Sequence, residues 1–350
     1  AGALLGAMGA RVTKLEDLDR LDMYRRRGPY IEGLEGIEGS AYFAYMNHSK
    51  GSELVSTDDP EQLEAAIHDA DVVIENLGPR RARRVGVDAA ALSARRPGTL
   101  SVSSSGFGHT GPWSAYRVYA YNVHTCCGLA YLTRTETGVP PQVDIAWADL
   151  ISGYALATVI AAWAVGTGAR QGAAVDFSMV ELAVSRFNEF LAAGSDVDHC
   201  SPVAPEGVYR TAVEGRWLAV SVATDEQWLA FRRALGDPVV LRGSDYATVP
   251  SRVAHRGDLD RLLDEHLSSW KPEEAEQVLQ EAGVAAAAVA TAEQLVRDPH
   301  LAAREFFRPV EHPLWGRRRL IGLPWRLAGE APFDLGPPPR LGESGPRSRV

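Results

Sequence analysis

From residue 1 to about residue 190 the apolar positions follow two alternating rhythms, one that suits helices and one that suits short buried strands. Residues 1–10 read as the end of a helix that turns at Gly9 into a strand over 11–16. A helix over 60–69 leads into Ala70-Asp71-Val72-Val73-Ile74-Glu75-Asn76. That short β-branched run closes on polar residues, the texture of a buried parallel strand that opens onto a site. A second strand, 99–103, ends in Ser104-Ser105-Gly106-Phe107-Gly108. Residues 154–165 form an alanine-rich apolar run with the length of a buried core helix. Such alternation predicts an α/β fold with an open parallel sheet and crossover helices. Ligands of such sheets bind outside the carboxyl ends of the strands, where Asn76 and Gly106 fall.

A stretch rich in Gly, Ser, Asp and Pro over 192–207 breaks the pattern. Beyond it, 207–210 and 216–222 read as a hairpin around Glu214-Gly215. Helices follow at 225–234, 256–268 and 272–281, then a strand over 284–289 and a helix from Thr291. Together these make an α+β module of domain size. Residues 301–335, with Pro309, Pro313, Pro324 and Pro332, are expected to run extended.

The length of 350 residues suits about two domains. A net charge of −9 and a pI near 5.5 argue against a nucleic-acid partner. No window approaches the unbroken apolar length of a membrane span. Cys126, Cys127 and Cys200 offer neither a disulfide framework nor metal-ligand spacing, so a reducing, cytoplasmic location is the default. The chain opens without an initiator Met, and its numbering is expected to start inside a longer protein.

Little familiar cofactor chemistry is encoded. There is no GxGxxG or GxxxxGK[ST] loop, which removes most support for nicotinamide or P-loop nucleotides. HExxH and clustered Cys/His sets are absent too, so no metal is expected. Neither Ser104 nor Ser105 has the outer glycine of GxSxG. The residue that stands out is Asp149, a lone carboxylate just before the 154–165 run. A helix start favours an ionised carboxylate through its free N–H groups and partial positive charge. Asp149 there suits a plain cap, a general base or a nucleophile. His124 reads as a base near Asp149 or as a satisfied core histidine. The run Arg80-Arg81-Ala82-Arg83-Arg84 reads as a solvated helix face or as a cation cluster for a phosphorylated ligand.

Six blocks, in order over most of the chain, resemble the class III CoA-transferase family. That family includes formyl-CoA transferase, carnitine CoA-transferase and the α-methylacyl-CoA racemases. The blocks are residues 6–16, Asn47-His48-Ser49-Lys50-Gly51-Ser52, residues 70–79 with Arg84-Val85-Gly86, residues 103–112, Ala148-Asp149-Leu150-Ile151-Ser152-Gly153, and residues 171–181. Leu341-Gly342-Glu343 is similar to the family's C-terminal end. The resemblance implies a large Rossmann-like open parallel sheet domain made from both chain ends, with a smaller α+β domain inserted, in an interlocked homodimer. On this chain the large domain would be 1–191 completed by 325–350, with linkers at 192–208 and 301–324 around a small domain at 209–300.

It further implies that Asp149 is the catalytic nucleophile, with acyl-CoA and a carboxylic acid as substrates and no covalently bound cofactor. Asn76, Leu77 and Arg84 would line the CoA site, with Lys50 and Met179 beside them. His124, Gly106 and Phe107 would belong to the acyl pocket. The chain departs from the family at Asp17, where an arginine often contacts the nucleotide, and at 223–225, where some transferases carry a Gly-rich flap. The racemases use a His-Asp pair, and the matching positions here are Tyr119 and Ala120. A racemase and a non-catalytic partner subunit, or half of a fused protein, are the alternative readings.

Overall fold

The structure, a computed structural model, describes residues 1–134, 137–141, 145–166, 171–193 and 201–343. Readings that involve residues 142–144 at the head of the Asp149 block, part of the 192–208 linker, Cys200 and the tail beyond 343 lie outside the described residues. The chain divides into two units, one from Ala1–Ser195 with His300–Val350 and one from Asp196–Pro299.

The first unit carries five parallel-paired strands: β1 (Thr13–Glu16), β2 (Gly51–Leu54), β3 (Val72–Glu75), β4 (Leu100–Ser105) and β5 (Ala173–Ser178). The class is α/β with parallel strands, as the alternation predicts. The hydrogen bonding falls in two pieces rather than one sheet. Thr13 of β1 pairs with Gly51 of β2, and β3, β4 and β5 pair in that order. All six residues of β4 are buried, which a strand flanked on both sides and covered on both faces requires. Of its serines, Ser103 bonds locally, whereas the Ser101 and Ser105 hydroxyls have no partner among the described residues. Ser103 Oγ accepts the Ala89 N–H at 2.8 Å, and its hydroxyl bonds the Glu75 carboxylate.

The long apolar helix runs Trp147–Val165, so it begins seven residues before the apolar run that announces it. Leu156 and Ile160 pack on Leu100 and Val102 of β4. In its first turn, Ala148 joins Val123, Met179 and Ala183 in a second cluster. The expectation about membrane length needs correction. This 19-residue helix is, by length and composition alone, apolar enough to cross a membrane, because one Asp and scattered small polar residues barely lower its mean hydropathy of 1.6. Its hydroxyls are satisfied along the helix, as in Ser152 Oγ to Ala148 O at 2.6 Å.

Residues 301–335 are not simply extended. After the helix Pro299–Ala303, β9 (Phe307–His312) and β10 (Gly316–Ile321) form an antiparallel hairpin, with β6 to β8 lying in the other unit. Val310 and Trp315 bury against Ala7, Ala44 and Leu335, and the His312 and Trp315 rings stack at 4.3 Å. The prolines hid this hairpin: Pro309 sits inside β9, in a two-stranded sheet where every strand is an edge.

Residues 336–343 return to the N-terminal strands. Ser49 N–H donates to Gly336 O at 3.0 Å and Ser52 N–H to Glu343 O at 2.9 Å. Beneath them lies a buried ion pair. The Arg25 guanidinium meets both Glu16 oxygens at 2.7 Å, donates to Pro339 O at 3.1 Å, and lies 3.8 Å from the centre of the Phe43 ring.

In the second unit, β6 (Glu206–Arg210), β7 (Trp217–Ser221) and β8 (Ala285–Ala288) form an antiparallel sheet in that order. Gly215 takes a φ of 72° in the β6–β7 connection. Helices Asp225–Ala234, Arg256–Leu267 and Pro272–Glu281 bury Trp228, Phe231, Leu263 and Leu279 with Leu218 and Val220 of β7.

Candidate active site

Asp149 lies inside the first turn of the Trp147–Val165 helix, not ahead of it. The cap position is Ala146, which makes no side-chain cap, so Asp149 is not the plain helix cap. Its carboxylate accepts a hydrogen bond from its own backbone N–H, one of the helix-start donors that lack an intrahelical partner. The residue keeps an exposed face. The protein around its base still removes enough water to push the carboxyl above the ordinary aspartate range. Its own N–H and the neighbouring His124 pull the other way. The helix start alone suggests a carboxylate held low; desolvation outweighs that here.

The structure brings His124 to Asp149. His124 lies on the helix Ala120–Cys126, is 2% exposed, and feels the Asp149 charge. Burial pushes the imidazole below its usual range, so it is neutral near pH 7. Neither ring nitrogen has a hydrogen-bond partner among the described residues, so it is not a satisfied core histidine. Its ring centre stands 6.3 Å from that of Trp147.

Tyr42, on the helix Ala41–Asn47, also lies within reach of the Asp149 charge and stacks on Tyr24 at 4.4 Å. Burial, with Tyr24 and then Asp149 adding to it, pushes the Tyr42 hydroxyl up to about 12. It is therefore a neutral donor. Sequence reasoning missed Tyr42, Tyr24 and Trp147, and no motif or spacing marks them.

Gly106 and Phe107 stand at the carboxyl end of β4. Gly106 O accepts from Val180 N at 3.0 Å, and a Cβ on Gly106 would lie 2.0 Å from a Val118 methyl, so only glycine fits. Phe107 meets Trp113 and Tyr116 edge-on at 5.5 and 6.1 Å. Met179 lies under the site, in the cluster with Val123 and Ala148. Tyr119, at one racemase position, is exposed.

A second group forms beyond β3. Asn76 is exposed, and Leu77 N–H donates to Glu75 Oε2 at 2.8 Å. Glu75 is itself buried against His109 at 3.2 Å, and burial raises its carboxyl. On the helix Pro79–Val85 the arginines divide. Arg83 donates to His109 O at 2.8 Å, and Arg81 bonds the Thr57 hydroxyl. Arg80 and Arg84 point to solvent, with Arg84 3.4 Å from Asp58. The Arg-run is thus part fold and part free cation. Asp17, where the resemblance expects an arginine, accepts from Asp19 N and Thr57 N, each at 3.0 Å.

Lys50 is tied to the end of the Ala41–Asn47 helix. Its ammonium donates to Met46 O at 3.1 Å and Asn47 Oδ1 at 2.9 Å. Burial, then repulsion from Lys14, pushes it down to about 8. Among the described residues no three His, Cys, Asp or Glu side chains gather as a metal set. Asp149 lines neither of two concavities found among the described residues. One, of about 520 Å³, is in the second unit and is lined by Arg210, Arg261 and Asp264, with the Arg210–Asp264 ion pair in its wall. The other, of about 230 Å³, lies by His300, Phe306 and Trp325.

The sequence profile described as CoA-transferase family III matches residues 1–345. The chain is 27% identical over 318 residues to a succinate–glutarate CoA-transferase of Agrobacterium fabrum, covering 87% of this chain and 79% of that protein. It is 26% identical over 354 residues to a probable CoA-transferase of Mycobacterium tuberculosis, covering 96% of this chain but 42% of that longer protein. A solved CAIB/BAIF family protein from Brucella suis superposes with a TM-score of 0.82 at 26% identity, over 98% of this chain and 92% of the other.

Proposed function

The chain belongs to CoA-transferase family III and is an enzyme of that class; on that premise we propose that it passes CoA from an acyl-CoA to a free carboxylic acid through covalent intermediates on Asp149. The observation that carries this is the Asp149 setting: an exposed carboxylate in a helix first turn, partly desolvated, with neutral His124 and Tyr42 beside it. A less hydrated, more basic carboxylate is a better nucleophile than one at the ordinary pKa. An Asp149 oxygen attacks the thioester carbonyl, the C–S bond breaks, and CoA leaves as thiolate. The thiolate attacks the Asp149 carbonyl of the resulting anhydride and releases the donor acid. The incoming carboxylate attacks the aspartyl-CoA thioester, and the freed thiolate takes the new acyl group. Charge is conserved at every step, and no proton must move. Backbone N–H groups in the Gly106–Gly108 loop are natural donors for the oxyanions. The relatives named for succinate and glutarate make dicarboxylic acids the first acyl panel to assay.

Asn76, Leu77 and Arg84 would receive the CoA nucleotide, with Arg84 on a phosphate. Exchanging Asp58 for phosphate is easy because an exposed ion pair contributes little. Arg84→Ala is expected to weaken CoA binding by roughly ten- to a hundredfold, the loss of one charge-assisted contact. Titration calorimetry with free CoA checks this; unchanged affinity removes Arg84 from the site.

We infer an interlocked homodimer. Only 28% of the most apolar window of the Trp147–Val165 helix is buried within the chain, and Trp113, Tyr116 and Tyr119 are exposed near the Gly106 loop. A second copy would cover that apolar surface and wall the open side of Asp149. Subunits linked through each other cannot separate without unfolding, so the dimer is expected to persist on dilution. Sedimentation at nanomolar concentration would show a dimer; a folded monomer would contradict it. Unbridged Cys126 and Cys127 accord with a cytoplasmic location.

A further inference from the structure

We propose that His124 is a positioning residue for the nucleophile: when the exposed Asp149 side chain turns toward it as acyl-CoA binds, the unpartnered imidazole donates an N–H to one carboxylate oxygen and so aims the other at the acyl carbon. The proposal rests on the reading of Asp149 as nucleophile and adds a role for a group that the transfer chemistry does not otherwise use.

Three observations carry it. His124 is 2% exposed, yet both ring nitrogens lack a partner among the described residues. A native fold rarely leaves a buried imidazole in that state. The charge that reaches the ring is that of Asp149. The two helices also meet there: Val123 and Ala148, the residues just before His124 and Asp149, share one apolar cluster, and the Trp147 ring stands 6.3 Å from the imidazole. The other groups packed here have little to offer the ring. Met179 and Ala183 are apolar, the Ser152 hydroxyl is committed to Ala148 O at 2.6 Å, and the Cys127 thiol to His124 O at 3.4 Å.

The chemistry suits a neutral ring. An ionised carboxylate only accepts, and a neutral imidazole has one N–H to give. Asp149 is exposed, and the bond from its own N–H is its one backbone tie, so a second donor is needed to fix which oxygen faces the acyl carbon. With one oxygen held, the other forms the new C–O bond as the thioester C–S bond breaks and thiolate leaves. The imidazole proton stays on the ring throughout. Small errors in aim are expensive in such attacks, about a hundredfold for a displacement near 1 Å.

The test is the single-turnover rate of acyl attachment to Asp149. Full-length protein is mixed with succinyl-CoA, quenched at intervals, and read by peptide mass spectrometry. His124→Phe keeps the volume and removes the donor; it is expected to slow attachment roughly ten- to a hundredfold with an almost unchanged KM for acyl-CoA. His124→Gln restores a neutral donor and is expected to recover most of the rate. Should the Phe variant fail to fold, His124→Met asks the same question. Wild-type attachment rates in a folded donor-free variant overturn the proposal. So does an equal loss in the Gln and Phe variants, which would mark a packing role. If the wild type turns over with no adduct on Asp149, the nucleophile reading itself falls and takes this proposal with it. An adduct in the wild type and an unslowed Phe variant remove His124 alone.

Discussion

Asp149→Ala is expected to lower CoA transfer by about four orders of magnitude or more while leaving the protein folded, because a nucleophile's removal leaves only binding and oxyanion stabilisation. The fold should survive. The cap position is Ala146, Asp149 bonds only its own N–H, and its neighbour Ala148, not Asp149, fills the core cluster. Asp149→Asn is expected to be nearly as inactive, since an amide is a poor nucleophile. In the wild type the acid limb of the rate profile should lie above the ordinary aspartate range. Burial raises the Asp149 carboxyl, only the ionised form attacks, and activity is therefore lost as pH falls through that raised value. Steady-state exchange between labelled acid and acyl-CoA measures both effects. Near-wild-type turnover by the Ala variant would remove Asp149 from the chemistry.

Glu16→Ala is expected to destabilise the first unit by about 3–5 kcal/mol, the range for leaving one partner of a buried pair uncompensated. Arg25 and Glu16 side chains are 0% and 1% exposed, so water cannot replace the missing carboxylate. Glu38, at 3.0 Å from Arg25 and 24% exposed, compensates only in part. The loss should spread, because Ser52 Oγ donates to Glu16 and Arg25 holds Pro339 O. Urea denaturation should show a lower midpoint with an unchanged slope. Replacing both partners, as in Glu16→Leu with Arg25→Met, should recover much of the stability, since the pair's desolvation penalty vanishes with it. A Glu16→Ala variant as stable as wild type would mean that Glu38 alone satisfies Arg25.

Much of the architecture was legible where local chemistry and pattern agreed. The helix Asp225–Ala234 is announced by its Thr224 cap, Pro272–Glu281 by a first-turn proline, and the β6–β7 hairpin by Gly215. Legibility failed where packing overrode the pattern. The Trp147–Val165 helix starts early because Ala148 and Ser152 face the core while Asp149 and Gly153 break the apolar run on the other side. That shift changes what Asp149 is: a first-turn residue rather than a cap. The β9–β10 hairpin was concealed by Pro309 and by Arg317, Arg318 and Arg319, whose charges lie on an exposed strand.

The candidate site was legible as motifs but not as chemistry. Asp149 and Arg84 could be picked out in blocks. Their surroundings were legible only in part: His124 was one of two open readings near Asp149, while Tyr42 reaches Asp149 through helix packing that no motif marks. Nor does the arginine run reveal its division. Arg81 and Arg83 are tied to Thr57 and His109, and Arg84 is left to solvent, by register on one short helix.

The central claim is that the Asp149 carboxylate itself carries the transferred groups. It is tested most directly by letting the enzyme turn over with an acceptor acid whose carboxylate oxygens are the heavy isotope. In the proposed route one acceptor oxygen bridges the second anhydride and stays behind when thiolate takes the acyl group. Peptide mass spectrometry is therefore expected to find the heavy isotope in the side chain of Asp149. Turnover that leaves Asp149 unlabelled, with both heavy oxygens elsewhere than on the enzyme, would contradict the account.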